Sequence, residues 1–200
     1  MLKVSENPPA RWPVDRSISA DLGKWGVLRV KPRAEKALAW ELARNGIPYY
    51  LPMLTKRSVR RDNGKTRKSL ICLFPGYIAL TDWHIHKEAV LRTGRVLRII
   101  TVPDQEKFTT ELTNISLAIR QFSELEVHPH LVLGERVLIS KGPLAGIEGL
   151  VADISQPGKV FLNVEMFNRA LVLKVEPGEI LPVENRVSLN SSVELASGIV

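Results

Sequence analysis

The sequence predicts an α+β fold with helices packed on a largely antiparallel sheet, followed by a small all-β barrel. Three observations lead there. Between residues 25 and 122, short apolar runs alternate with segments whose apolar residues recur at helical spacing. An Asp62-Asn63-Gly64 tripeptide between two extended runs supplies residues that tolerate positive φ at a tight hairpin turn. From Gly134 to Pro182 the pattern changes to short β-rich runs, punctuated by Gly, Pro and Asn at roughly 8–12 residue spacing.

The elements follow in order. "WGVLRV" (25–30) reads as a first strand, and "RAEKALAWELARNGI" as a helix with Ala34, Leu38 and Leu42 on one face and Asn45-Gly46 as its stop. Trp40 falls on the opposite face, as a contact residue or as a ring leaning on the N-terminal leader. "YYLPMLTKRSVRRDNGKTRKSLICLF" reads as a long hairpin. Within "LFPGYIAL" (73–80), Pro75 cannot donate to a sheet ladder, so the next strand begins at Tyr77 and runs to Thr81. "DWHIHKEAVLRT" reads as a short helix that Asp82 caps, and "VLRIIT" as a strand. "DQEKFTTELTNISLAIRQF" is a helix with Phe108, Leu112, Ile115, Ile119 and Phe122 on one face. "RVLIS", "GLVADI", "VFLNVEM", "ALVLKV" and "EILPV" are the strands of the barrel.

The domain boundaries expected from this pass are a disordered leader at 1–23, a first domain at 24–123, a linker at 124–133, a barrel at 134–184 and a loose tail at 185–200. The 200 residues are 44% hydrophobic and 24% charged, ordinary for a globular chain. Cys72 is the single cysteine, which leaves no disulfide framework and suggests a reducing compartment. No apolar signal-peptide core follows Lys3, and no run approaches the ~18 apolar residues of a membrane span.

Charge is concentrated rather than spread. Residues 25–81 hold 12 basic and 3 acidic groups, a local +9 against +7 for the whole chain. Seven of these cations, Lys56, Arg57, Arg60, Arg61, Lys65, Arg67 and Lys68, fall on the hairpin around Asp62. That lopsided finger suits the backbone of a nucleic acid, and it contains no aromatic for base stacking. The plainer reading is an edge hairpin kept from aggregating by its Lys and Arg.

Chemistry-bearing constellations are missing from the sequence. The two His-x-His pairs, His84/His86 and His128/His130, lie on a helical segment and in the linker, with no Cys or carboxylate at matching spacing for a metal. Gly-x-Ser-x-Gly, Walker and Gly-x-Gly-x-x-Gly loops do not occur. No catalytic residue, metal or cofactor is therefore expected. In the barrel, Gly142, Gly146 and Gly149 mark a strand–turn–strand unit from which Leu144 and Ile147 would project. With Met166, Phe167 and Arg169 from a later hairpin they make a candidate protein-contact patch, core packing being the rival for Ile147 and Met166.

Taken together, the two halves resemble the NusG family of transcription elongation factors. "WGVLRVKPRAEKALAWELARNGI", "YLPMLTKR", "LFPGYIAL" and "VLRTGRVLRII" follow the order of the family's N-terminal domain. "GERVLISKGPLAGIEGLVADI" and "VEMFNRALVLKV" look like an SH3-like KOW domain. The compact hairpin and the "KPRAEK…GIPYYLPML" wording look closer to the specialised, operon-restricted branch of RfaH-like and UpxY-like proteins.

The resemblance implies a non-enzymatic factor in the bacterial cytoplasm, at the nucleoid. Its first domain would grip the clamp helices of the largest subunit of RNA polymerase through Val27, Phe74 and Tyr77. The same domain would contact the upstream edge of the transcription bubble, with non-template DNA or nascent RNA as the partner. The KOW domain would engage a ribosomal protein or the termination factor Rho through Leu144, Ile147, Met166, Phe167 and Arg169. Some members of the specialised branch cover the polymerase site with a KOW domain refolded as a helical hairpin. Here the abundance of Val, Ile, Gly and Pro favours strands, and no refolding is expected. The alternative function is a KOW-containing RNA- or ribosome-binding protein without a polymerase role.

Overall fold

The computed structural model describes residues 6–21, 23–59, 64, 66–122, 125–129, 134–151 and 158–183. β1 (Arg11–Trp12), a 3-10 turn at Ile18–Ala20 and β2 (Trp25–Val30) lead into α1 (Glu35–Arg44). Then come β3 (Tyr49–Tyr50), the hairpin of β4 (Met53–Val59) and β5 (Thr66–Cys72), β6 (Tyr77–Thr81), α2 (Trp83–Arg92), β7 (Val96–Thr101) and α3 (Gln105–Gln121). The rest is extended: β8 (Glu126–Pro129), β9 (Glu135–Ile139), β10 (Glu148–Val151), β11 (Lys159–Val164), β12 (Arg169–Lys174) and β13 (Ile180–Pro182).

The first domain is an antiparallel sheet in the order β1-β3-β6-β2-β7, with the β4–β5 hairpin as a separate ribbon. Side-chain alternation divides its central strands cleanly. Leu28, Val30, Ile78 and Leu80 share one apolar cluster with Leu38 and Leu42 of α1 and Val90 of α2. Trp25, Val27 and Ala79 join the opposite cluster with Phe108, Leu112 and Ile115 of α3. The helix phases read from sequence therefore match the buried faces of α1 and α3. The start of α3 is fastened twice. Asp104 accepts a hydrogen bond from the Lys107 N–H at 2.9 Å, and Gln105 exchanges hydrogen bonds with the Trp25 backbone at 2.8 and 3.0 Å.

The second part is a six-stranded antiparallel sheet in the order β13-β9-β10-β11-β12-β8. At Gly149 an added Cβ would lie 2.4 Å from Cγ1 of Val160, so the close approach of β10 and β11 there needs a bare position.

Three expectations are corrected. The leader, expected to be disordered over 1–23, is largely built into the first domain. β1 pairs with β3, Leu51 N–H donates to Ala10 O at 2.7 Å, and the Tyr49 hydroxyl donates to Pro9 O at 2.7 Å. Trp40 Nε1 donates to Glu6 O at 3.2 Å, so this Trp leans on the leader. The physical reason is the open edge of β3, whose backbone groups need a partner. Residues 1–5 lie outside the described residues.

The linker expected at 124–133 also contributes structure, since β8 adds to the edge of the second sheet, with Val127 opposite Leu171. Asp82 does not cap α2 through its side chain. It sits in the left-handed region (φ 50°), with its carboxylate where a side chain on Gly23 would be. The tail expected at 185–200 lies outside the described residues.

Candidate functional site

The site is built on the four residues Phe74-Pro75-Gly76-Tyr77. Tyr77 N–H donates to Phe74 O at 3.3 Å, closing a turn with Pro75 at its second position and Gly76 (φ +84°) at its third, the signature of a type II turn. Gly76 is required on two counts. Its φ lies where L-residues are strained, and an added Cβ would meet Arg29 Nη1 at 2.5 Å. The turn is pinned from three sides. Its Gly76 N–H donates to the buried carboxylate of Glu35 at 2.7 Å, Gly76 O accepts from Val30 N–H at 2.9 Å, and Leu73 N–H donates to Pro52 O at 2.8 Å. Such a turn brings its first and last residues together, so Phe74 and Tyr77 are displayed as a pair.

The ring that meets this pair comes from the second sheet. Phe167, on the 3-10 turn between β11 and β12, is fully buried. Its centroid lies 5.1 Å from that of Phe74, 5.4 Å from that of Tyr77 in a stacked arrangement, and 5.8 Å from that of Phe108 on α3 in an edge-on one. Aromatic pairs of this kind contribute about 0.5–1.5 kcal/mol each beyond the area they bury. The Arg29 guanidinium covers Tyr77, its Cζ 4.4 Å from the ring centroid. One continuous apolar cluster therefore runs from Trp25 and Val27 through Phe74, Phe108 and Phe167 to Val160, Leu162 and Leu171 of the second sheet. Beside it, Lys107 of α3 pairs with the Glu165 carboxylate, and Glu165 N–H donates to Glu111 Oε2 at 3.2 Å.

Residues 23–116 match the family model described as "Transcription termination factor nusG". The first domain belongs to the NusG family. No curated protein is similar enough to the chain to count as a relative. The matched segment runs from just before β2 into α3, so it contains β2 to β7 and the aromatic turn of the NusG domain, and leaves β1 and the second sheet outside.

Within the NusG domain, Val27 and Phe74 are buried and Tyr77 is half-buried at the seam with the second sheet. Leu144 and Ile147 do not project as the sequence suggested. Both are buried in the shared apolar cluster, because the turn that carries them folds back so that Gly146 N–H donates to Ile139 O at 2.8 Å. Met166 is half-buried against the same cluster, while Arg169 is exposed with Nη1 donating to Asn168 O at 2.8 Å. The two sets of contact residues, proposed for two different partners, thus meet each other through Phe167.

Of the basic finger, β4 and β5 pair from Met53–Cys72 through Val59–Thr66, and Lys56 and Lys68 are exposed. Arg57 and Arg67 are placed directly across from Lys68 and Ser58 in the ladder, whereas Arg60, Arg61 and Lys65 lie outside the described residues. Cys72 is a half-buried thiol whose pKa burial pushes up to about 11, with Glu35 adding to the effect, so it stays protonated at neutral pH. Among the described residues no helix is long and apolar enough to cross a membrane.

Two contributors escaped the sequence reading. Glu35 reads as an ordinary acid in the first turn of a helix, yet it orients the aromatic turn. Glu111 reads as a solvated helix residue, yet it sits at the seam.

Proposed function

We propose that the chain is a transcription elongation or antitermination factor. Its NusG domain binds the clamp helices of the largest RNA polymerase subunit through the Phe74–Tyr77 turn. The β4–β5 finger lies along upstream non-template DNA or nascent RNA. The second sheet acts as a KOW domain that recruits a ribosomal protein or Rho, and the factor works at the bacterial nucleoid, in the cytoplasm.

The observation that carries this reading is the aromatic turn: a family-typical domain presents two aromatic rings on a pinned turn, and that face already holds an apolar ring from elsewhere in the chain. A surface that takes Phe167 has the chemistry to take the apolar side of a partner helix. The action is binding, not catalysis. A ligand that prefers one clamp conformation shifts the polymerase towards it and changes pausing by population. In vitro elongation by core polymerase, with and without the purified chain, tests this. An altered pause pattern that Tyr77→Glu abolishes is the expected result. Binding to ribosomal RNA with no binding to polymerase would replace this reading with that of an RNA- or ribosome-binding protein.

A further inference from the structure

We propose that the seam between the two domains is a proton-linked latch, with Glu111 as its titrating group, so that the chain closes as pH falls and opens as it rises. The geometry places this half-buried carboxylate at the seam, against the 3-10 turn between β11 and β12. Glu111 stands on α3, which packs against β11, and it accepts a hydrogen bond from the Glu165 backbone N–H, so the contact spans the seam itself. Among the described residues, the charges that face it are Lys107 and Asp104 from its own helix and helix cap, and Glu165 from the connection between β11 and β12. Lys107 does not simply neutralise it, because that ammonium is held by the Glu165 side chain. Closure thus half-buries a carboxylate beside a second carboxylate, with Lys107 as the cation near both among the described residues.

Burial raises the Glu111 pKa from its ordinary 4.5 to about 7; the Glu165 N–H and Lys107 oppose the rise, and Glu165 and Asp104 add to it. Separating the domains returns the group to water and to its ordinary value. The sign follows from linkage. Below pH 4.5 both forms are protonated and the latch is fully engaged. Between 4.5 and about 7 the open form loses its proton while the closed form keeps it, so the closed form loses ground as pH rises. The shift corresponds to a change in the closed-to-open ratio on the order of a hundredfold, complete above about pH 7. The latch depends on the seam alone and not on which partner the aromatic turn binds, so a failure to bind polymerase would leave it standing.

The test uses the full chain without partners. Carboxyl carbon NMR of the glutamate-labelled protein should give Glu111 a midpoint near 7, falling to the ordinary carboxylate range when Phe167→Asp opens the seam. Small-angle scattering from pH 5 to 8.5 at constant ionic strength, on a Phe167→Leu background that weakens the seam, should show expansion with rising pH. Adding Glu111→Gln, which keeps an acceptor and cannot ionise, should flatten that profile in the compact state. An ordinary midpoint in the wild-type chain overturns the proposal, as does a raised midpoint that survives opening or an unchanged pH profile with Gln at 111.

Discussion

The ring of Phe167 stacks on that of Tyr77, with centroids 5.4 Å apart and planes 28° from parallel, although ninety positions of chain separate them. Among the described residues, the rings that Phe167 meets are Phe74, Tyr77 and Phe108, all three in the first domain. Phe167→Ala should therefore cost about 3–5 kcal/mol, as large-to-small changes at buried aromatics do. Its effect should appear as separation of the domains, not as loss of either fold. Calorimetry should resolve two unfolding transitions, with far-ultraviolet circular dichroism preserved at 25 °C.

Tyr77 is only half-buried and closes the turn with its backbone N–H, which any residue but proline can supply. Tyr77→Glu should keep the NusG domain folded and remove binding to core polymerase. Co-sedimentation with polymerase checks this, and undiminished binding by a folded Tyr77→Glu chain would sink the clamp-binding role of the turn.

Gly76→Ala tests the turn from the other direction. The change imposes a positive φ on an L-residue and drives a Cβ against the Arg29 guanidinium. A loss of about 1–3 kcal/mol in urea unfolding is expected. Because Arg29 must move off Tyr77, the tyrosine's ring chemical shifts should change as well.

The Lys107–Glu165 pair spans the seam with 55% and 58% of the side chains exposed, so solvent screens it. A double-mutant cycle through Lys107→Ala and Glu165→Ala should give a coupling of only about 0.2–1 kcal/mol, shrinking further in 0.5 M salt. The Phe167 contacts, by contrast, should be insensitive to salt.

Lys56 and Lys68 are exposed on the finger. If they meet phosphates, replacing each with Ala should weaken binding to single- or double-stranded DNA without regard to sequence. Each replacement should also reduce the slope of log affinity against log salt by about one. An unchanged slope would favour the finger as a protected sheet edge.

Much of the fold was legible because the physics that forms it is local and periodic. Leu38 and Leu42, or Phe108, Leu112 and Ile115, announce their helices by spacing. The runs that became β9 to β13 announce theirs by turn residues at short intervals. β1 was not legible: a two-residue strand among prolines has no period, and its order comes from the unpaired edge of β3 and the Tyr49 hydroxyl. The roles of Glu35 and Asp82 were hidden for a related reason. An acid at a helix start is favoured by the helix dipole wherever its side chain turns, so its true partner depends on tertiary packing. At the candidate site, "FPGY" disclosed the turn and its aromatics. Nothing local could disclose that the answering ring is Phe167, since its contacts are made between domains.

Phe167 can be regarded as a resident ligand of its own chain. Being tethered, it returns to the Phe74–Tyr77 turn at the high effective concentration of an intramolecular event, and it never diffuses away. An outside partner for that turn would compete with it, and its apparent dissociation constant would exceed the intrinsic one by the inverse of the open fraction. Affinities measured on the whole chain will therefore understate the strength of the turn. The NusG domain freed of Phe167 is the form that reports it.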